Sequence, residues 1–364
     1  MRITQEYLNG LSPVELQFIQ ASIYKLCQEK ITNDTTNYDN LSLKVEECPH
    51  CGSTHFVKNG FNPKHKQKYR CKECRSVFLP TTKTMFSHSK TTFNEWSYFI
   101  GCELNGLTLE AESIALSKSK TTCFHMRHKL YEAISHLQNN VQLSGNIEFD
   151  PAYTKINLKG TKKENMPRMS KHRGKHKTSI YGKSIAGISS HKVCILTAVD
   201  ENDNILLRIG GLGPESVDKF MDIKDTIEPN SLLISDDKKS IKTFANMCGL
   251  RNDFIPSIAG KQLFTTPFGN SLSSVNEIHT EVKDYMRHKK GISTRHLQGY
   301  LDWIVFKKKL RYTLEMKKWK WEAYMYSMHS IIPFINNDIY KREMPISLYE
   351  AYGSYHYGIF EYIN

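Results

Sequence analysis

The chain has 364 residues, with 50 Lys and Arg against 37 Asp and Glu and a formal charge of +13. That length allows two or three domains around a sizeable core, and the basic excess favours a polyanionic partner, nucleic acid first. No apolar run is long enough to cross a bilayer, and the opening residues Met1 to Glu6 hold no apolar signal core, so a cytoplasmic location without membrane contact is expected.

Residues 1–40 read as an N-terminal helical segment and linker. Leu8, Leu11, Val14, Phe18, Ile19, Ile23 and Leu26 recur at helical spacing, and Ser12-Pro13-Val14-Glu15 is a helix start. Residues Thr32 to Tyr38 are rich in Asn, Thr and Asp, as a linker would be. Residues 41–88 read as a zinc ribbon. Cys48 and Cys51 form one CxxC pair and Cys71 and Cys74 a second, the spacing of a four-cysteine zinc site. Phe56–Gly60 and Lys68–Arg70 read as short strands between the knuckles. Lys58, Lys64, Lys66, Lys68, Arg70, Lys72 and Arg75 make the ribbon basic, which suits DNA backbone contact. Nine cysteines in a chain expected to stay inside the cell argue for metal or free thiols rather than disulfides.

Residues 89–143 read as a helix-turn-helix DNA-binding region. Phe93, Trp96, Phe99 and Ile100 share one helical face. Gly106 to Thr122 gives a short helix with the small residue Ala111, a polar turn near Leu116-Ser117 and a second helix. That second helix carries Lys120, Thr121, His125, Arg127, His128 and Lys129, a set able to face a major groove, which is the preferred reading over a plain helical connector.

Residues 144–303 change texture. Gly145 to Asp150 alternates apolar and acidic residues, so Glu148 and Asp150 share a strand face. Residues 155–183 form a basic insertion that includes Lys162, Lys163, Arg173 and Lys175, a solvated loop or a phosphate clamp. Strands follow at Lys192–Val199 and Asn204–Ile209, joined by a turn at Asp200–Asp203. Then come a helix over Glu215–Ile227, a strand from Ser231 to Ser235 ending on Asp236-Asp237, a helix from Lys239 to Met247 and a strand near Phe254-Ile255. Val275, Ile278, Val282 and Tyr285 mark an amphipathic helix whose polar stripe carries Asn276, His279 and Lys283. Residues 304–364 form a helical, aromatic and basic tail.

An antiparallel hairpin series followed by strand–helix alternation predicts an RNase H-like α/β fold. The chain as a whole is then multidomain α+β. In such a sheet the acid ending the first strand meets the acid ending a later one, and a helix across the edge supplies a third ligand: Asp150, Asp236 and Asn276. Two carboxylates this close need divalent cations between them. Two magnesium or manganese ions would polarise a scissile phosphate and activate a water or a 3′-hydroxyl. Lys283 would neutralise a nucleotide phosphate. Asn276 and its neighbour Glu277 point in different directions on a helix, so only one of them can face the metals.

The stretch Val275-Asn276-Glu277-Ile278-His279 with Lys283, continued by Gly291-Ile292-Ser293-Thr294-Arg295-His296-Leu297-Gln298-Gly299-Tyr300-Leu301-Asp302-Trp303, resembles bacterial insertion-sequence transposases of the DDE superfamily. The branch is the one with a zinc ribbon and an Asp-Asp-Asn-Lys signature, related to the Merlin transposases of eukaryotes. The resemblance runs from Cys48 to about Trp303. It implies Asp150, Asp236, Asn276 and Lys283 as the catalytic set, catalytic Mg²⁺ or Mn²⁺, and strand cleavage and transfer at terminal inverted repeats. It also implies a homodimer or larger assembly on double-stranded transposon ends and target DNA, bound through the ribbon and the helix-turn-helix. The chain departs from the family pattern at both acids. Asp-Glu-Thr-Tyr at the first acid is here Asp150-Pro151-Ala152-Tyr153, and the Gly after the second acid is Asp237. Proline removes a backbone donor, Asp237 adds charge near the metals, and Glu148 is a candidate replacement acid. These changes keep open a decayed or domesticated copy that binds DNA without cutting it. A zinc-ribbon transcription regulator is a weaker third reading, since it leaves the α/β half without a task.

Overall fold

The computed structural model describes residues 44–160, 187–259, 263–289, 291–310 and 342–352, with Tyr7, residues 9–12, Glu15 and Ile339. Most of the expected N-terminal helix, most of the basic insertion with Lys162, Lys163, Arg173 and Lys175, and most of the C-terminal tail lie outside the described residues. Among the described residues the chain is mixed α+β with two sheets, and it divides into two compact units, one running to Ala133 and the other from Ile134 to Lys309, each with a later stretch of chain.

The first unit opens with a three-stranded antiparallel sheet of β1 (Phe56–Phe61), β2 (Gln67–Cys71) and β3 (Val77–Phe78). So small a sheet has little core of its own. Phe56 meets Tyr69 and Phe78 edge-on at 5.6 and 5.8 Å, and Tyr69 stacks on Phe78. Three helices follow. α1 (Phe93–Leu104) begins with a capping box, in which the Glu95 N–H donates to Thr92 Oγ1 at 3.2 Å and the Thr92 N–H donates to Glu95 Oε2 at 2.7 Å. α2 (Leu109–Leu116) is capped by Thr108 and stopped by Ser117 in the left-handed conformation (φ 52°). α3 (Lys120–Ile134) starts where the Thr122 N–H donates to Ser119 Oγ at 3.1 Å. The turn expected near Leu116-Ser117 is where the helix breaks.

The second unit is built on a mixed sheet. After a short α4 (His136–Asn139) come β4 (Asn146–Phe149), β5 (Ala152–Lys155), β6 (Lys192–Asp200), β7 (Ile205–Leu212), β8 (Leu232–Asp236) and β9 (Arg251–Ile255). β4 and β5 pair with β6 in one unbroken antiparallel register, Ile147 opposite Asp200 and Tyr153 opposite Cys194. They form one strand interrupted at Asp150-Pro151. Pro151 therefore deletes a donor without shifting the ladder, and the strand expected to end at Asp150 runs on to Lys155. Taken as one strand, the order is β7-β6-β4-β8-β9: three antiparallel strands, then two parallel to β4.

Ile147, Phe149, Leu196, Ala198, Leu206 and Leu233 are fully buried on this sheet, with Phe220 and Phe244 packed over Phe149. Phe220 comes from α5 (Val217–Met221) and Phe244 from α6 (Lys239–Met247). The helix expected over Glu215–Ile227 is instead α5 and a 3₁₀ turn at Lys224–Thr226. The Thr226 hydroxyl donates back to the Ile223 carbonyl at 2.6 Å, a local bond that competes with helix continuation. The hairpin turn after β6 is held by the Asp200 carboxylate, which accepts from the N–H groups of Asn202 (2.9 Å) and Asn204 (2.8 Å).

The β7 edge is covered by side chains. The Gln138 amide bonds Ile205 O and Leu207 N, and the Gln298 amide bonds Leu207 O and Ile209 N, all at 2.8–3.0 Å. Two glutamines thus take the place of a sixth strand's backbone on an edge that would otherwise pair with another chain. Gln138 lies ahead of residue 144, so the sheet's unit begins earlier than the expected boundary. α7 (Ser273–His288) buries Val275, Ile278, Val282 and Tyr285, as its spacing predicts. α8 (Leu297–Leu310) buries Trp303, Ile304, Val305 and Phe306 in one run, so the expected boundary between 303 and 304 falls inside a helix. A last short helix, α9 (Tyr349–Tyr352), closes the described chain. Among the described residues no helix is long and apolar enough to cross a membrane.

Candidate metal centre and acidic sheet edge

Two polar sites stand apart from the core. The first is the cysteine cluster. The Cys48 N–H donates to Ser53 O at 2.8 Å, the Cys71 N–H donates to Ser76 O at 3.0 Å, and the residue after each second cysteine turns left-handed: Gly52 (φ 73°) and Arg75 (φ 60°). These matched knuckles bring all four Sγ atoms within 4.8 Å of one another, with Cys48–Cys74 and Cys51–Cys71 each at 3.6 Å. A tetrahedron with metal–sulfur bonds of about 2.3 Å has edges of about 3.8 Å, so the cluster has the size of a zinc–thiolate site. Hydrogen bonds from Ser76 draw the Cys74 thiol down to about 6. Despite the backbone N–H of Ser53, the sulfurs of Cys74, Cys71 and Cys48 push Cys51 up to about 12. Four thiols this close together, one of them already drawn down, are suited to a dication that binds them as thiolates.

The second site is the sheet edge. β4 and β8 are adjacent and parallel, with Glu148 opposite Ile234, so two residues further on Asp150 stands level with Asp236. Neighbouring strands are about 4.8 Å apart. Burial pushes the Asp150 carboxyl up to about 6; the Lys238 ammonium opposes this, and the Asp236 and Glu215 carboxylates add to it. The Lys238 Nζ lies 3.5 Å from Asp150 Oδ1 and 3.2 Å from Glu215 Oε1. Burial opposes the Lys238 charge, yet Asp150 and Glu215 outweigh it and hold the ammonium above the usual lysine range. Glu215 is fixed in turn by the Tyr153 hydroxyl, which donates to its carboxylate and accepts from its N–H at 3.2 Å.

α7 crosses this edge and is pinned there twice. Glu148 accepts from the Ser274 hydroxyl at 2.8 Å and from the Val275 N–H at 2.9 Å, so it caps a helix whose own N-cap side chain, Leu272, cannot. Glu148 is therefore a structural cap rather than a replacement acid. His279, buried, donates from Nε2 to the Asp150 carbonyl oxygen at 3.1 Å; burial pushes its imidazole down to about 4 against that bond, so the ring is neutral. Asn276, one turn before His279, and Lys283, one turn after, are both exposed. Glu277 turns elsewhere, accepting from Lys308 Nζ at 2.7 Å. Asp237 is paired with Lys242, so its charge is answered away from Asp150. Glu215 and Lys238 were missed in the sequence, because neither belongs to a local motif. Among the described residues, the four cysteines are the one group of His, Cys, Asp and Glu ligand atoms drawn that close together.

The expected DNA-facing set on α3 needs correction. Lys120 and Thr121 are exposed, with Lys120 paired to Glu110. Arg127 and Lys129 are 2% exposed. Arg127 donates to Glu103 and, at 2.7 Å, to Glu112, and Lys129 donates to Ser87 O. Cys123, Met126, Leu130 and Ile134 set the buried face of α3, and Arg127 and Lys129 turn inward beside them to answer carboxylates and a carbonyl. On the ribbon, Lys58, Lys64, Lys66, Arg70, Lys72 and Arg75 are exposed.

No protein-family model matches the chain. Over 125 residues it is 26% identical to a Halobacterium salinarum protein described as an uncharacterized protein in transposable element ISH50. The match covers 33% of this chain and 40% of that relative's length. The chain is thus similar, over a part of each protein, to one carried by an insertion sequence.

Proposed function

We propose that the chain is a DNA transposase of an insertion sequence, with an RNase H-like catalytic half and a zinc ribbon in front of it. The observation that carries this reading is the level placement of Asp150 and Asp236 at the ends of adjacent parallel strands, with α7 pinned across them through His279. The strand order, three antiparallel and two parallel to the first, is the order that such a fold requires. Similarity to a protein of a transposable element supports the same direction.

In this reading Cys48, Cys51, Cys71 and Cys74 hold one structural zinc. Asp150, Asp236 and Asn276 offer hard oxygen donors for magnesium or manganese. When bound, such ions activate a water or a 3′-hydroxyl and stabilise the leaving oxygen of an in-line phosphoryl transfer. The chain's own residues do the rest. His279 fixes the Asp150 backbone, Glu148 fixes the start of α7, and both set where Asn276 projects. Lys283, exposed one turn beyond His279, meets a DNA phosphate. The ribbon lysines and arginines, with Lys120 and Thr121, bind double-stranded DNA at the element's ends, and Lys162, Lys163, Arg173 and Lys175 add phosphate contacts, in a homodimer or larger assembly.

A second reading, a copy that binds the ends without cutting, is motivated by Pro151, Ala152 and Asp237, where the chain departs from the pattern it resembles. One experiment separates the two. The full chain is mixed with a duplex carrying the inverted repeats that flank its coding region, with Mn²⁺. Nicking by the wild type and none by Asp236→Asn supports the transposase; retention of the duplex with no nicking in either supports the binding-only copy.

A further inference from the structure

Lys238 belongs to neither the helix stripe nor the basic insertion, and its partners are a catalytic-set aspartate and a glutamate from another part of the chain. The ammonium stands between Asp150 Oδ1 at 3.5 Å and Glu215 Oε1 at 3.2 Å. Glu215 cannot swing freely, because Tyr153 holds it by both its carboxylate and its backbone N–H. The Lys238 backbone is fixed beside the second acid: its main-chain N–H donates to Asp236 O at 2.8 Å, closing a tight turn that joins β8 to α6 and leaving the side chain free to shift between partners. A divalent ion of this class binds oxygen at about 2.1 Å. Such an ion on Asp150 Oδ1 would lie within a few ångströms of the ammonium, where two cations repel strongly.

We propose that Lys238 is a built-in cation of the acidic edge: Glu215 and Tyr153 present it to Asp150, it occupies the position of the incoming divalent metal, and it must give up Asp150 and stay with Glu215 for that metal to bind. This deepens the reading of Asp150 and Asp236 as metal ligands and rests on it. Lys238 is a positioning residue here. It sets how readily the site loads, and once released it remains a positive group beside the reacting phosphate.

The test is Mn²⁺ binding by the full chain, prepared with zinc and read from the electron paramagnetic resonance of free Mn²⁺. Wild type, Lys238→Met, Lys238→Gln and Asp150→Asn are compared, each checked for folding by its Tm. The expected result is Mn²⁺ binding about tenfold tighter in both Lys238 variants than in wild type, from loss of a nearby competing charge, and none at this site in Asp150→Asn. Equal or weaker binding in both folded Lys238 variants overturns the inference while leaving the metal site intact. A fall in Tm without a gain in affinity does the same, since that marks a purely structural ion pair. If no Asp150-dependent binding exists in any variant, the metal reading falls and this inference with it.

Discussion

The two units each place one cation between two carboxylates, and the outcomes differ. In the first unit Arg127 lies between Glu103 and Glu112, with side chains 3%, 0% and 0% exposed. Tyr131 donates to the second oxygen of Glu103 at 3.0 Å. The group is closed off from the surface, and it fastens α1 and α2 to α3. In the second unit Lys238 lies between Asp150 and Glu215, with side chains 34%, 21% and 12% exposed, and a third carboxylate, Asp236, stands beside them. That group has a third carboxylate and an open side. Near-complete burial makes a brace; partial exposure with an added carboxylate marks a place for a ligand. The cysteine cluster shares the self-contained character of the first unit, since its four sulfurs already have the spacing of a metal's coordination sphere.

The contrast can be broken most forcefully at the ribbon. Cys71→Ser should abolish zinc retention and unfold residues 44–80, because a structural zinc contributes on the order of 10 kcal/mol to a unit with so small a core. Metal analysis and amide exchange would show it, and a ribbon that stays protected without metal would remove the closed-site assignment. Arg127→Met should come next, costing about 3–5 kcal/mol by leaving two carboxylates buried without their counter-ion. Denaturant unfolding measures that loss. DNA affinity per folded molecule should stay unchanged, and a selective loss of DNA binding at normal stability would return Arg127 to the groove-facing set.

A pH series sharpens the second unit. Burial, reinforced by Arg342 and Arg295, pushes His296 down to about 4 from 6.5. The unfolded chain therefore binds this proton more readily between those values. Stability owed to a neutral His296 is full above about pH 6.5 and falls as pH drops toward 4, by up to roughly 3 kcal/mol. The difference between wild type and His296→Gln, followed by urea midpoints at pH 7 and 4.5, should shrink or reverse on acidification. Smallest among these effects, Glu148→Gln should cost about 1 kcal/mol by weakening the cap on α7. A larger loss, with Mn²⁺ binding abolished, would mean that Glu148 belongs to the metal site after all.

Much of this was legible in the sequence because the signals were local. Each CxxC pair sits on one turn. Asp150 and Asp236 end short strands. Val275, Ile278, Val282 and Tyr285 spell a helix by spacing alone. What was not legible depended on distant partners. Arg127 is buried by carboxylates 24 and 15 residues away, and no count of basic residues along α3 gives its direction. Lys238 reaches Asp150 across 88 residues and Tyr153 reaches Glu215 across 62, so the cation at the acidic edge exists only once the sheet has formed. Asp150 was expected to end its strand, and Pro151 follows it without a donor. The ladder continues past it because β6 keeps its register on the far side.

The most direct measurement is diffraction from crystals of the full chain soaked in Mn²⁺, with data collected at the manganese absorption edge. The account predicts an anomalous peak between Asp150 and Asp236, with the Lys238 ammonium moved off Asp150 and still on Glu215. Manganese bound only elsewhere, with Lys238 still seated on Asp150 while the same preparation cleaves DNA, would contradict it.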